Sequence, residues 1–249
     1  MMGGSPPSLE VPMSSEHPMP PVPDRPATVV PEVVAAGIRA QLLATEHWSL
    51  LATRGTTWSE VMSRITIHLT VSSAALVVLA LVVQASGFGT AFDIMSIGLA
   101  AAILVLGTLT GIRVHNASTD DAMMIVGMNR LRAAYIDMDP SIAPYLVTAW
   151  HDDMAGISRT YAMGYPRTTV SQVVGSTSMF MVVVNAIVAG TLGALVANVA
   201  GAPVALVSVL GSAAGLGYLG LMLEIGRRSV CDGPTDVRFP TPAAGSVQG

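Results

Sequence analysis

The side chains best suited to chemistry are adjacent in the chain, at His151, Asp152 and Asp153. An imidazole beside carboxylates could act as a general base or bind a metal ion. Consecutive residues of a helix point in different directions, however, so His151 and Asp152 would need further ligands from elsewhere to hold a metal. We interpret the triplet as a helix surface beside Trp150, with a membrane enzyme acting through His151 as an alternative.

Methionine thioethers could support a different chemistry, because soft sulfur ligands suit Cu(I). Several methionines lie near His115 and His151 in the sequence, but they recur at the spacing of a helix core, where methionine fills irregular gaps well. The lone Cys231 leaves no cysteine cluster for zinc or iron–sulfur. We therefore assign no catalytic residue, no metal and no cofactor. The methionines concerned are Met123, Met124, Met128, Met154 and Met163.

Charged residues around these positions could form a docking surface. Arg130 and Arg132 precede Asp137 and Asp139 by one or two helical turns. Exposed ion pairs contribute little to stability, so a solvated face is one interpretation. The other is a surface for a cytoplasmic partner or for another subunit. The residues of this candidate surface are Arg130, Arg132, Asp137, His151, Asp152 and Asp153.

Composition places the chain among membrane proteins. Of its 249 residues, 51% are hydrophobic and only 11% are charged, and the mean hydropathy is +0.60. A net charge of −4 without a clustered basic face argues against a nucleic-acid partner. We expect the lipid bilayer as one partner, and a cytoplasmic protein or a second copy of the chain as another.

Four apolar segments have about the length needed to cross a hydrocarbon core of ~30 Å, and we predict that all four are helices, because lipid leaves no other partner for backbone polar groups. None has Asp, Glu, Lys or Arg near its centre, which argues against a pump. The segments are about Ile65–Gly87, Ala91–Ile112, Ser176–Ala200 and Pro203–Leu223. Their polar side chains line a pore or hydrogen-bond between helices; these are Thr70, Ser72, Ser73, Asn185 and Asn198.

A similar motif precedes each pair of apolar segments. Thr57 and Glu60 recur as Thr169 and Gln172, and each pair matches a capping box, the signature of a helix start. We therefore predict two transmembrane hairpins built on one plan. All 12 basic residues are Arg and none lies in a hairpin turn, so the positive-inside rule predicts that both termini and the middle segment are cytoplasmic.

An amphipathic helix is expected before the first span. Val34, Ile38 and Leu42 recur every four residues within about 29–53. This helix either packs on the protein's own extramembrane part or lies in the membrane interface.

Two more helices are expected between the hairpins. Ser118 to Asp121 resembles a helix start, and Asp139 with Pro140 should end that helix. The next helix should cover about 141–163. We expect the two to pack as an antiparallel pair against the amphipathic helix.

Small residues at four-residue spacing mark close helix contacts within the membrane. Packing within the chain and association between subunits both fit this pattern. We choose Gly211 and Gly215 as a contact between subunits, because Ser208 and Ser212 extend the small face of the last span. The predicted packing residues are Gly107, Gly111, Ala189, Gly193, Gly211 and Gly215.

Two stretches, Gly127–Tyr135 and His151–Gly156, resemble a set of uncharacterised actinobacterial four-span membrane proteins. The resemblance extends from about Trp48 to Arg228. It implies a four-span topology in a bacterial plasma membrane. It implies no activity, because that set has none assigned.

The sequence predicts an all-α polytopic membrane protein with four transmembrane helices in two hairpins and a cytoplasmic helical module. We expect a non-enzymatic scaffold or accessory subunit that self-associates and binds a partner through its cytoplasmic helices. The alternative is a channel or small-solute permease with a path between the hairpins. The predicted divisions are a disordered proline-rich tail (1–30), an amphipathic helix and lead-in (31–64), the first hairpin (65–113), a cytoplasmic helical segment (114–175), the second hairpin (176–226) and a flexible tail (227–249).

Overall fold

The computed structural model describes residues 32–163, 168–230 and 236–242. All regular elements within these ranges are helical, which confirms the all-α prediction. The expected tail at residues 1–30 lies outside the described residues. The elements are α1 (Glu32–Ser86), α2 (Thr90–Met138), a 3₁₀ helix (Pro140–Tyr145), α3 (Met154–Tyr161), α4 (Thr169–Val174), α5 (Thr177–Val199) and α6 (Val204–Val230). Four of them, α1, α2, α5 and α6, are long and apolar enough to cross a membrane.

Helices α1 and α2 are much longer than a membrane span. They have 55 and 49 residues, and at ~1.5 Å per residue each is more than twice as long as a hydrocarbon core of ~30 Å. Charged residues are absent from residues 65–86 of α1 and from residues 94–112 of α2. We call the charged end of each helix, residues 32–64 of α1 and 113–138 of α2, the stalk.

The two long helices pack against each other in antiparallel directions. Arg54 of α1 contacts Asp121 of α2, whereas His68, further along α1, lies beside the earlier residue Gly107. The buried positions of α2 alternate by four and three residues, which is the spacing of a coiled coil. This seam continues from the apolar part into the stalk. Its members on α2 are Ser96, Ala100, Ile103, Gly107, Thr110, Val114, Ala117 and Asp121.

Two predicted helix starts lie inside these long helices and are wrong. Thr57 lies within α1, so it forms no capping box with Glu60, whose carboxylate instead accepts a hydrogen bond from Arg113 at 2.8 Å. Ser118 lies within α2. A capping side chain needs free backbone N–H groups, and these exist only at a helix end. The continuous packing of α1 on α2 carries both helices through these positions.

The second copy of the motif does mark a helix start, but one residue earlier than predicted. Thr168, rather than Thr169, caps α4 by accepting the N–H of Ser171 at 3.2 Å. Helix α5 has its own cap, because Ser176 accepts the N–H of Met179 at 3.1 Å. The two copies of the motif therefore have different structures.

The helix predicted over residues 141–163 is wrong, although α2 does end before Asp139 as expected. Pro144 donates no N–H and lies in a short 3₁₀ helix. Residues 146–153 have no regular helix, and α3 begins only after Asp153. Gly156 lies inside α3, where a Cβ would come within 2.0 Å of the carbonyl oxygen of His151.

Helices α5 and α6 pack through their small residues. A Cβ on Gly211 would lie 2.9 Å from the Cβ of Ala194 and 3.0 Å from the carbonyl oxygen of Gly190. A Cβ on Gly215 would lie 2.9 Å from the carbonyl oxygen of Ala186. The choice of Gly211 and Gly215 as a contact between subunits is therefore wrong, because α5 of the same chain covers that face.

The four long helices lie in a row. Helix α2 packs between α1 and α5, and α5 packs between α2 and α6. The turns that join α1 to α2 and α5 to α6 contain Gly87 and Gly201 at φ values of 70° and 77°, which favour glycine. Large apolar side chains such as Leu76 and Val204 are exposed on the outer faces. These faces fit contact with lipid.

Candidate functional site

A buried polar pair lies where α1, α2 and α5 meet. His68 and Asn185 are 0% and 1% exposed, and both lie against Gly107. A Cβ on Gly107 would lie 1.9 Å from Asn185 Oδ1 and 2.7 Å from His68 Cε1, so the pair requires glycine there. Neither His68 nitrogen and neither polar side-chain atom of Asn185 has a hydrogen-bond partner among the described residues. Such groups are costly in an apolar interior and often mark function.

Gly107 and Asn185 are among the residues predicted from the sequence to pack or to be polar within the spans, whereas His68 is not. The signal was present in the seven-residue spacing of Arg54, Val61, His68 and Ala75, which places them at equivalent positions of a coiled-coil seam. A polar residue at such a position faces the partner helix. Gly111 is the other packing residue predicted on α2. A Cβ added to it would lie 3.8 Å from Asn185 Nδ2, which is a normal van der Waals distance.

A second polar cluster lies in the stalk around Asp121. This carboxylate accepts hydrogen bonds from the guanidinium of Arg54, from Trp58 Nε1 at 2.8 Å and from the hydroxyl of Tyr161 at 2.6 Å. Burial alone would raise the pKa of Asp121, but these hydrogen bonds outweigh burial and the pKa is lowered. Burial and the bond to Asp121 raise the pKa of Tyr161. The cluster joins α1, α2 and α3 through one ionised carboxylate.

A third polar cluster attaches the loop before α3 to α2. Asn129 is fully buried and donates a hydrogen bond to the carbonyl of His151 at 2.7 Å. Its Oδ1 accepts hydrogen bonds from Thr160 at 3.0 Å and from Arg132 at 2.8 Å. Burial lowers the pKa of Arg132. Loop residues 146–153 therefore lie against α2 although they form no helix.

The loop binds a segment from the far end of the chain, residues 236–242, which we call the C-terminal segment. Asp152 accepts the N–H of Arg238 at 3.0 Å and the N–H of Phe239 at 2.7 Å. The N–H of Asp152 in turn donates to the carbonyl of Phe239 at 3.1 Å. Arg130 donates to Asp152 at 2.8 Å and to the carbonyl of Asp236. In residues 236–242 the tail is therefore hydrogen-bonded to the protein rather than free, contrary to expectation.

Asp153 extends the same contact. Its carboxylate accepts the N–H of Thr241 at 2.7 Å and the hydroxyl of Thr241 at 2.9 Å. It also caps α3 by accepting the N–H of Gly156 at 2.8 Å. Burial acts to raise the pKa of Asp152 and Asp153, but the hydrogen bonds prevail and both pKa values are lowered. Both aspartates are therefore structural acceptors.

The six residues of the predicted docking surface do not form one exposed patch. Asp152 is fully buried and pairs with Arg130 beneath the C-terminal segment. Asp137 is exposed, at the end of α2, and lies 3.6 Å from Arg39 of α1. The aspartates beside His151 also do not belong to a helix surface, because that part of the chain is a loop.

An exposed apolar stripe on α1 is the clearest surface of the stalk that no other described residue covers. Leu43, His47 and Leu50 occur at coiled-coil spacing and are partly buried on the side of α2. The stripe lies on the opposite side, where Leu42 is 67% exposed and Trp48 is 71% exposed. It consists of Val34, Ile38, Leu42 and Trp48.

No group of three or more His, Cys, Asp or Glu within the described residues could hold a metal ion. Comparison with protein-family models, with curated proteins and with solved structures finds no match to this chain.

Proposed function

We propose that the protein is an integral membrane scaffold or accessory subunit whose stalk binds a protein partner. The observation that carries this proposal is the exposed apolar stripe on α1. Helices that bind a groove or another helix use anchors three or four residues apart, which is the spacing of Val34, Ile38 and Leu42. The partner is a different protein or a second copy of this chain.

The buried carboxylates of the stalk and of the loop before α3 have a structural role, which fits a scaffold. Asp121, Asp152 and Asp153 accept several hydrogen bonds each from the chain itself. Their pKa values are lowered, whereas a general acid at neutral pH needs a raised one. They support a fixed helical framework on which a partner could assemble.

The proposal places the stalk and both termini in the cytoplasm of a bacterial cell, with the four helices in its plasma membrane. Arg64 and Arg113 lie at the stalk end of the apolar parts of α1 and α2, and the turns at 87–89 and 200–203 contain no basic residue. This distribution matches the positive-inside rule. The resemblance to actinobacterial four-span proteins supports the same location.

Partner binding is tested by purification in mild detergent, with the associated proteins quantified by mass spectrometry. The variant Ile38→Glu with Leu42→Glu places two charges on the stripe. The matched control is Met123→Glu, which changes an exposed apolar side chain of α2. We expect a specific partner to fall at least tenfold in the stripe variant only. An unchanged set of associated proteins together with an unchanged oligomeric mass in light scattering would contradict the proposal.

A channel or small-solute permease is the second candidate. The observation that favours it is the unpaired His68 and Asn185, because polar groups within a membrane commonly mark a solute path. Ion and solute flux into liposomes should then fall in Asn185→Leu and persist in the control Thr191→Val, whose side chain is exposed on α5. Absence of flux through the wild-type protein would exclude this candidate.

A further inference from the structure

The contact between the loop and the C-terminal segment has the form of a peptide-binding site. Three backbone N–H groups of the segment, those of Arg238, Phe239 and Thr241, donate to the carboxylates of Asp152 and Asp153. The remaining residue of the run 238–241, at its third position, is Pro240, which has no N–H to donate. Every backbone donor from 238 to 241 is therefore bound.

The site recognises mainly the backbone of its ligand. The side chains of Arg238 and Phe239 are exposed, while the carbonyl of Phe239 accepts the N–H of Asp152. Reciprocal backbone bonds of this kind are how proteins bind extended peptides. Within residues 236–242, the hydroxyl of Thr241 is the side-chain group that hydrogen-bonds to the loop, through Asp153.

Most hydrogen-bond donors to Asp152 come from the C-terminal segment. Asp152 is fully buried with the segment in place, and it accepts hydrogen bonds from the N–H groups of Arg238 and Phe239. Arg130 of α2 is the side chain that also donates to it. When the segment leaves, water reaches the Asp152 carboxylate that the segment had covered, and an extended peptide that offers the same N–H groups can take the segment's place. The loop itself remains anchored through Asn129.

We propose that Asp152 and Asp153 form a binding site for extended peptides, and that the C-terminal segment is a built-in competitor that occupies it. The ligand class is a segment with free N–H groups at its first, second and fourth positions, proline at the third and a hydroxyl residue at the fourth. This inference rests on the proposed partner-binding function and supplies the stalk with a second, regulated docking point. A partner that presents such a segment must displace the protein's own.

The test uses the full chain in nanodiscs and a fluorescent synthetic peptide of residues 236–242. In the released variant, Phe239→Pro with Thr241→Pro, two donated N–H groups are removed from the attached segment while the site is unchanged. The attached segment competes at an effective concentration on the order of millimolar. The labelled peptide should therefore bind the released variant at least tenfold more tightly than the wild-type chain.

Controls separate recognition from unspecific binding. A peptide with the same two prolines should not bind, and Asp152→Asn in the released variant should abolish binding of the normal peptide. The variant Val237→Ala, which keeps all the donors, should behave as wild type. Equal binding to wild type and released variant, or no saturable binding to a folded released variant, would overturn the proposal. Neither result depends on the α1 stripe, so failure here and failure of the proposed function are distinguishable.

Discussion

Arg54 and Asp121 are separated by 67 residues in sequence and form an ion pair inside the seam between α1 and α2. The carboxylate is 1% exposed, and Trp58 and Tyr161 donate to it as well. An apolar side chain at such a seam position could slip along the partner helix, whereas an ion pair has one matching position. We expect the pair to fix the register of the stalk.

Asp121→Asn should destabilise the protein by about 3 kcal/mol, because removal of one member leaves the partly buried Arg54 without its counter-ion. Thermal unfolding in detergent measures the effect. The matched control is Asp120→Asn. Asp120 is the neighbouring residue, but its side chain is exposed and makes a longer ion pair, at 3.7 Å from Arg113. Similar stability of the two variants would show that the Asp121 cluster is not a structural element.

Acid should weaken both the stalk and the contact between the loop before α3 and the C-terminal segment. The pKa values of Asp121, Asp152 and Asp153 lie below their ordinary value of 3.8. A lowered pKa means that the stabilisation is complete above the unfolded-state value and is lost as the pH falls through the folded-state value. Unfolding temperatures should therefore be steady above about pH 5 and fall below about pH 4, with a shallower fall in Asp121→Asn. An equal fall in wild type and variant would contradict this assignment.

Gly215→Ala should destabilise the chain without changing its oligomeric mass. The added methyl would lie 2.9 Å from the carbonyl oxygen of Ala186, and such overpacking costs about 1–3 kcal/mol. Gly217→Ala is the control, because no atom lies within 4 Å of its added Cβ. Light scattering in mild detergent and thermal unfolding give the two readouts. A fall in oligomeric mass with unchanged stability would show instead that Gly215 lies in a contact between subunits.

Gly107→Ala should be strongly destabilising, because its methyl would overlap Asn185 Oδ1 at 1.9 Å. Combining it with Asn185→Ala should recover about 1–3 kcal/mol relative to the single variant, since coupled neighbours are not additive. Gly111→Ala, with its nearest contact at 3.8 Å, is the control and should be close to neutral. Strict additivity of the two changes in a double-mutant cycle would show that Gly107 does not make room for Asn185.

The sequence predicted those parts of the fold that depend on composition and local pattern. Apolar length identified the four long helices, and Pro140 after Asp139 identified the end of α2. The extent of α1 and α2 was missed because Thr57 and Ser118 have the residue types of helix starts. Local signals of this kind are overridden when a helix packs along a partner on both sides of them.

The sites depend on contacts between distant residues, which local patterns do not encode. Phe239 meets Asp152 across 87 residues of sequence, and no motif joins them. The fit of Gly190 against Gly211 requires the relative placement of two helices, so the four-residue spacing could not distinguish α5 from a second subunit. Only the seven-residue spacing through His68 offered a signal that a longer pattern search would have found.

The most direct test of partner binding is photo-crosslinking from the stripe in living cells. A benzophenone amino acid replaces Leu42, or Met123 as a control that is also exposed and lies on α2, and the cells are irradiated. The proposal predicts one discrete adduct from position 42, either with a single different protein or with a second copy of this chain, and none from position 123. No adduct at position 42, or the same products from both positions, would contradict the assignment of the α1 stripe as a docking surface.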